Sequence, residues 1–96
     1  MFSIMIKTFK SKALEKFFNE GVIKGIPQEF EKRIRVRLNA IDSATNIDDI
    51  KLPGYNLHQL QGNREGTWSI KVSGNWRITF RFEENDANDI DLEDYH

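Results

Sequence analysis

Residues 67–82 read "TWSIKVSGNWRITFRF", two runs that alternate apolar and polar residues on either side of a glycine. Alternation with period two marks strands with one buried face, and the short polar break between them marks a hairpin. The pattern also sets the pairing. Directly opposed residues of an antiparallel pair share a face, so a slip by one residue would send the apolar set to solvent. Matching the apolar positions pairs Trp68 with Phe80, Ile70 with Ile78 and Val72 with Trp76. That register predicts a three-residue loop of Ser73, Gly74 and Asn75, with Gly74 free to adopt a left-handed conformation. On the other face it sets Lys71 opposite Arg77 and Thr67 opposite Arg81. Like charges directly opposed destabilise a sheet, so something must offset them. One source is internal: Asp89, Asp91 and Glu93 share one parity on the last strand and are expected to reach Arg81 before Arg77. The other is an anionic ligand such as phosphate, which arginine grips as a planar fork.

The remainder of the chain supplies partners for this hairpin. "IMIKTF" alternates and predicts a first strand. "SKALEKFFNEG" sets Ala13, Leu14, Phe17 and Phe18 on one side of a short helix stopped by Gly21. "PQEFEKRIRVRLNAIDSA" predicts a second helix opening at Pro27. Its buried stripe is Phe30, Ile34, Leu38 and Ile41, and its exposed side carries Lys32, Arg33, Arg35 and Arg37. For that basic side the options are a polyanion, an acidic partner or water alone. "IDDIKLPG" adds one helical turn, "YNLHQL" a short strand and "NDIDLED" the last strand. The expected fold is α+β: one domain over residues 1–96, order β-α-α-β-β-β-β, with two N-terminal helices packed on a small, mostly antiparallel sheet.

Composition narrows the chemistry. There is no cysteine, which removes disulfides, thiolate metal sites and a cysteine nucleophile. "MFSIMIKTF" is too short and too soon interrupted by Lys7 and Lys10 for a signal peptide or membrane span, so the expected location is the cytoplasm. The net charge of −1 conceals an asymmetry. Residues 1–82 hold all 14 Lys and Arg and 8 of the 15 acids, a charge of +6; residues 83–96 hold the other 7 acids and no Lys or Arg. A basic body suits a polyanionic partner.

The two histidines are His58 and His96, the latter closing the terminal "EDYH". No serine sits in a nucleophile-elbow pattern. His58, Asp94 and His96 are the set from which a metal site would have to be drawn, yet none has the close spacing of ligands on one element. Neither a metal nor another cofactor is expected. These groups suit metal-free RNA cleavage, which needs a base for the 2′-OH proton, an acid for the leaving oxygen and a cation for the pentavalent phosphate. Histidine serves either proton role near neutral pH. Arginine keeps its proton and serves the charge role. Tyr95 can stack on a base or donate its hydroxyl. Strict alternation along the last strand sends Tyr95 and His96 to opposite faces, so the chain must leave extended geometry there if both serve one site.

"MIKTF", "RLNAIDSAT", "LHQLQGNREGTWSIKV", "NWRITF" and "EDYH" together resemble the HigB toxins, within the RelE/ParE superfamily of toxin–antitoxin systems. The resemblance spans nearly the whole chain from Met5. It implies a ribosome-dependent mRNA endonuclease that cuts in the ribosomal A site. It also implies neutralisation by a HigA-type helix-turn-helix antitoxin, with operator DNA bound only through the complex. Carried over residue by residue, the family's active-site histidine falls on His58, its C-terminal Asp, Tyr and His on Asp94, Tyr95 and His96, and its phosphate-stabilising arginine on Arg77. His58 and His96 would share proton transfer, Asp94 would orient a histidine, and Arg64, Lys71 and Gln61 would contact the substrate. Gln61 stands where family members often have a basic residue, which leaves more of the phosphate to Arg77 and Arg64. Two other functions suit the same fold: a ParE-like toxin that binds DNA gyrase without cutting nucleic acid, and an inactive partner that acts only as the antitoxin's corepressor.

Overall fold

The computed structural model describes residues 5–95. His96 and the first residues of the expected initial strand, Ile4 included, lie outside that range. The elements are β1 (Met5–Ile6), α1 (Lys12–Glu20), α2 (Glu31–Ser43), β2 (His58–Gln59), β3 (Thr67–Ser73), β4 (Trp76–Glu83) and β5 (Asp86–Asp94), with one-turn 3₁₀ segments at Gln28–Phe30, Ile47–Ile50 and Gly62–Arg64. The five strands form one sheet in the order β1-β5-β4-β3-β2. All neighbouring pairs are antiparallel except β1 with β5. The expected α+β order is the observed one.

Both helices lie on one face of the sheet. Ser11 caps α1 by accepting from the Leu14 N–H at 3.1 Å, a contact worth about 1 kcal/mol. Gly21, at φ 74°, ends the helix in the left-handed conformation. α1 buries Leu14 and Phe17, and α2 buries Ile34, Leu38 and Ile41. They meet Ile70, Val72, Ile78, Phe80, Ala87 and Ile90 from the sheet. Each Leu, Ile, Val or Phe among them contributes about 1.5–3 kcal/mol on burial. The second helix enters differently from expectation: Pro27 precedes a 3₁₀ turn, and α-geometry begins only at Glu31. Asp42 near its end accepts from the Ile6 N–H at 3.1 Å, tying α2 to the parallel edge strand.

The basic side of α2 is partly committed to the fold. Arg37 donates from Nε to the Lys71 carbonyl at 2.7 Å and lies 4.3 Å over the Tyr55 ring. Desolvation there lowers its pKa. Arg35 lies 5.0 Å over Phe17 and 3.7 Å from Glu31. Lys32 and Arg33 are exposed.

The β3–β4 register is the expected one through Trp68–Phe80, Ile70–Ile78, Lys71–Arg77 and Thr67–Arg81. The tip differs. Ser73 pairs with Trp76, Val72 bulges out of the ladder, and the loop is the two residues Gly74 and Asn75. Gly74 has φ 55°, as the first position of a II′ hairpin turn requires. That turn follows the right-handed twist of the strands, and the bulge keeps Val72 buried.

A second bulge shapes β5. Thr79 faces Asp91 but Arg81 faces Asn88, so β5 carries one residue more than β4 across that interval. The extra residue centres on Asp89, at φ 56°. Its N–H is capped by the Thr8 hydroxyl at 2.8 Å. Ala87 and Ile90, three apart in sequence, are consequently both buried against the helices. This corrects the expected pairing of acids with arginines. Asp89 leaves the alternation, Arg81 takes Glu83 at 3.3 Å, and Glu93 lands directly opposite Arg77.

Candidate active site

The face of the sheet that the helices leave open carries His58, Ser69, Thr79 and Asp91 in one row, and Lys71, Arg77 and Glu93 in the next. Ser69 and Thr79 are almost wholly buried although they are polar. Among the described residues no buried polar side-chain atom lacks a hydrogen-bond partner.

Glu93 is the hub. Its Oε1 accepts from Arg77 Nε at 3.3 Å, Arg77 Nη2 at 3.0 Å and Arg64 Nη1 at 3.0 Å. Its Oε2 accepts from the Thr79 hydroxyl at 2.9 Å and from Arg64 Nη2. The Arg64 fork, opposed by burial and helped by Arg77 and Thr79, holds the Glu93 carboxyl down at about 2. The same contact raises the Arg64 pKa. The like-charge conflict between Lys71 and Arg77 is thus relieved by an acid from the neighbouring strand.

Tyr95 completes the cluster. Its N–H donates to the Asn75 carbonyl at 2.9 Å, which anchors the end of the chain beside the β3–β4 tip. Its ring lies 4.2 Å from the Arg77 guanidinium carbon, within the range of a cation–π contact. Arg77 therefore has its Nε–Nη2 edge on Glu93 and one face on Tyr95, with Nη1 turned away from the carboxylate.

The other residues singled out from sequence are dispersed around this centre. His58 is exposed on the edge strand, two strands from Arg77 and one row off it, a backbone separation of about 12 Å. Its Nδ1 lies 2.8 Å from the Asn56 carbonyl. A carbonyl can only accept, so Nδ1 is the donor in this contact and Nε2 is left to other partners. Lys71 is exposed beside Arg77 in the register. Gln61 precedes the 3₁₀ turn that carries Arg64. Asp94 pairs in register with Trp76 and so belongs to the helix-covered face, opposite in parity to Glu93 and Tyr95. His96 is outside the described residues. Among those described, no three His, Asp or Glu are grouped to hold a metal ion.

Beside the cluster lies a cleft of about 410 Å³ lined by Lys10, Asn63, Arg64, Thr67, Thr79, Arg81, Asp89 and Glu93. Lys10, Asn63 and the central place of Glu93 were not apparent from sequence. The parity of Glu93 was visible; its register against Arg77 depends on the Asp89 bulge.

A family model described as the RelE-like toxin of type II toxin–antitoxin system HigB matches residues 7–96. The chain is 51% identical over 92 residues to Endoribonuclease HigB of Proteus vulgaris, covering 96% of this chain and all of that one. It is 31% identical over 80 residues to Toxin HigB-1 of Vibrio cholerae, covering 81% and 84% of the two chains. It is 27% identical over 95 residues to an uncharacterized protein of Haemophilus influenzae, covering 97% and 94%.

Proposed function

The chain belongs to the HigB family of RelE-like toxins of type II toxin–antitoxin systems, and from that premise we propose that it is an endoribonuclease that cuts mRNA in the A site of a translating ribosome, by acid–base chemistry without a metal ion. The name of the Proteus vulgaris relative supports the nuclease activity. The observation that carries the reading is the Arg77 guanidinium, fixed on one edge by Glu93 and on one face by Tyr95 on the open side of the sheet.

In the reaction the 2′-oxygen of the RNA bonds to the adjacent phosphorus and the bond from phosphorus to the 5′-oxygen breaks. A base takes the 2′-OH proton and an acid gives one to the leaving oxygen. Arg77 offers its outward N–H groups to the pentavalent phosphate, where charge accumulates. His58, with Nδ1 committed to a carbonyl, has Nε2 available to take a proton. His96 shares the proton transfer, with Asp94 orienting it, a role that requires the chain end to leave the strand alternation. Tyr95 holds Arg77 and offers the edge of its ring and its hydroxyl to the substrate. Arg64, Lys71 and Gln61 contact the flanking backbone.

Control of such an enzyme requires a partner, and a HigA-type helix-turn-helix antitoxin fills that role, carrying the toxin to operator DNA only as a complex. The test is primer extension on mRNA in a translating extract. The active wild type gives new 5′ ends inside codons, and Arg77→Ala gives none while still binding the antitoxin. Metal independence is read with a phosphorothioate at the scissile position, whose cleavage rate is the same in magnesium and manganese. Rescue by manganese would contradict it.

A further inference from the structure

We propose that Glu93 is a positioning residue: its carboxylate locks the guanidinium groups of Arg64 and Arg77 into one arrangement whose remaining N–H groups face a single phosphate of an RNA strand. The inference rests on the RNA-cleaving reading above.

Five hydrogen bonds converge on the two oxygens of Glu93, from Arg64, Arg77 and Thr79. A carboxylate offers about four lone-pair sites, so this one is saturated. A guanidinium has five N–H groups. Arg77 gives two of them to Glu93, through Nε and Nη2, and Arg64 gives two, through Nη1 and Nη2. Each arginine therefore keeps three for another acceptor. Two arginines and one glutamate leave a net positive charge, which still attracts a phosphate. Without the carboxylate the two cations would repel one another and splay.

A different role for the same contact is competition, with Glu93 occupying the seat that phosphate needs. The geometry argues for the frame. Glu93 projects from the register position directly opposite Arg77, in the interior of the ladder. Its side chain is only 20% exposed and that of Arg77 only 15%. Tyr95, two residues further along the chain and just past the end of β5, covers the face of Arg77. The carboxylate also joins the turn bearing Arg64 to β4 and β5, so one group sets two phosphate ligands from different parts of the chain. Its low pKa keeps it charged across the working pH range.

The experiment compares Glu93→Gln and Glu93→Asp with wild type in two readouts. In nitrogen-15 spectra of the free protein, the slowly exchanging Nε–H of Arg77 is lost in Glu93→Gln. In single-turnover cleavage of ribosome-bound mRNA, the maximal rate falls about 100-fold, the half-saturating ribosome concentration is unchanged, and Glu93→Asp recovers part of the rate. A wild-type rate in Glu93→Gln, a retained Nε–H signal, or tighter RNA binding would overturn the inference. Should the wild type leave mRNA intact, the cleavage reading falls, and the Nε–H signals alone decide whether Glu93 fixes the arginines.

Discussion

The Arg77 guanidinium carbon lies 4.2 Å from the centre of the Tyr95 ring, so the last described residue of the chain is packed on the cation at the middle of the sheet. Removing the ring and removing the hydroxyl therefore have different consequences. Tyr95→Phe keeps the cation–π contact and leaves Arg77 in place. Tyr95→Ala forfeits about 0.5–2 kcal/mol of that contact and frees the guanidinium to rotate. The expected single-turnover rates fall in the order wild type, Phe, Ala, with the larger step at Ala. A larger step at Phe would assign the hydroxyl the greater role.

Acid stability reports on Glu93. Its carboxyl ionises at about 2 in the folded protein, against an ordinary 4.5. The unfolded chain thus takes up the proton first as pH falls. The stability contributed by Glu93 is full above about pH 4.5 and is lost as pH drops through about 2. With allowance for solvent at the site it is about 1–2 kcal/mol. Urea unfolding across that window should show a flatter acid limb for Glu93→Gln than for wild type.

The hairpin was legible because its constraints are local. Trp68, Ile70, Ile78 and Phe80 can share a face in one register only, and β3 and β4 adopt it. The tip was less so: a bulge at Val72 with a two-residue loop keeps the Trp68–Phe80 and Ile70–Ile78 pairs that a flat three-residue loop would, and differs only in seating Ser73 instead of Val72 opposite Trp76. The site was hidden behind a longer-range contact. Glu93 faces Arg77 only because Asp89 bulges, and Asp89 bulges against a hydroxyl 81 residues away, on Thr8. The three-residue interval between Ala87 and Ile90 was the available signal, a break in period two within the last strand. Likewise Arg37 belongs by spacing to the basic side of α2, yet its partners Lys71 and Tyr55 come from other elements.

That bulge makes a stability prediction. Asp89 holds a positive φ that β-branched residues tolerate poorly. Asp89→Val should destabilise the fold by about 1–3 kcal/mol, whereas Asp89→Gly should be close to neutral. Thermal unfolding separates them, since 1 kcal/mol shifts the midpoint of a domain this size by about 4–8 °C.

The basic side of α2 should divide in two. Arg37→Ala removes two hydrogen bonds and a cation–π contact and should cost about 1–3 kcal/mol. Lys32→Ala and Arg33→Ala should leave stability within about 0.5 kcal/mol. If these two cations meet ribosomal RNA, each removal lowers the salt slope of ribosome binding by about 1.

The proposed role of Arg77, framed by Glu93 and Tyr95, is to bind the scissile phosphate. It is tested by single-turnover cleavage of ribosome-bound mRNA by free wild type and free Arg77→Ala, both first shown to be folded and able to bind the antitoxin. The maximal rate is expected to fall about 100- to 1,000-fold in Arg77→Ala. Cleavage by Arg77→Ala at the wild-type rate would contradict it.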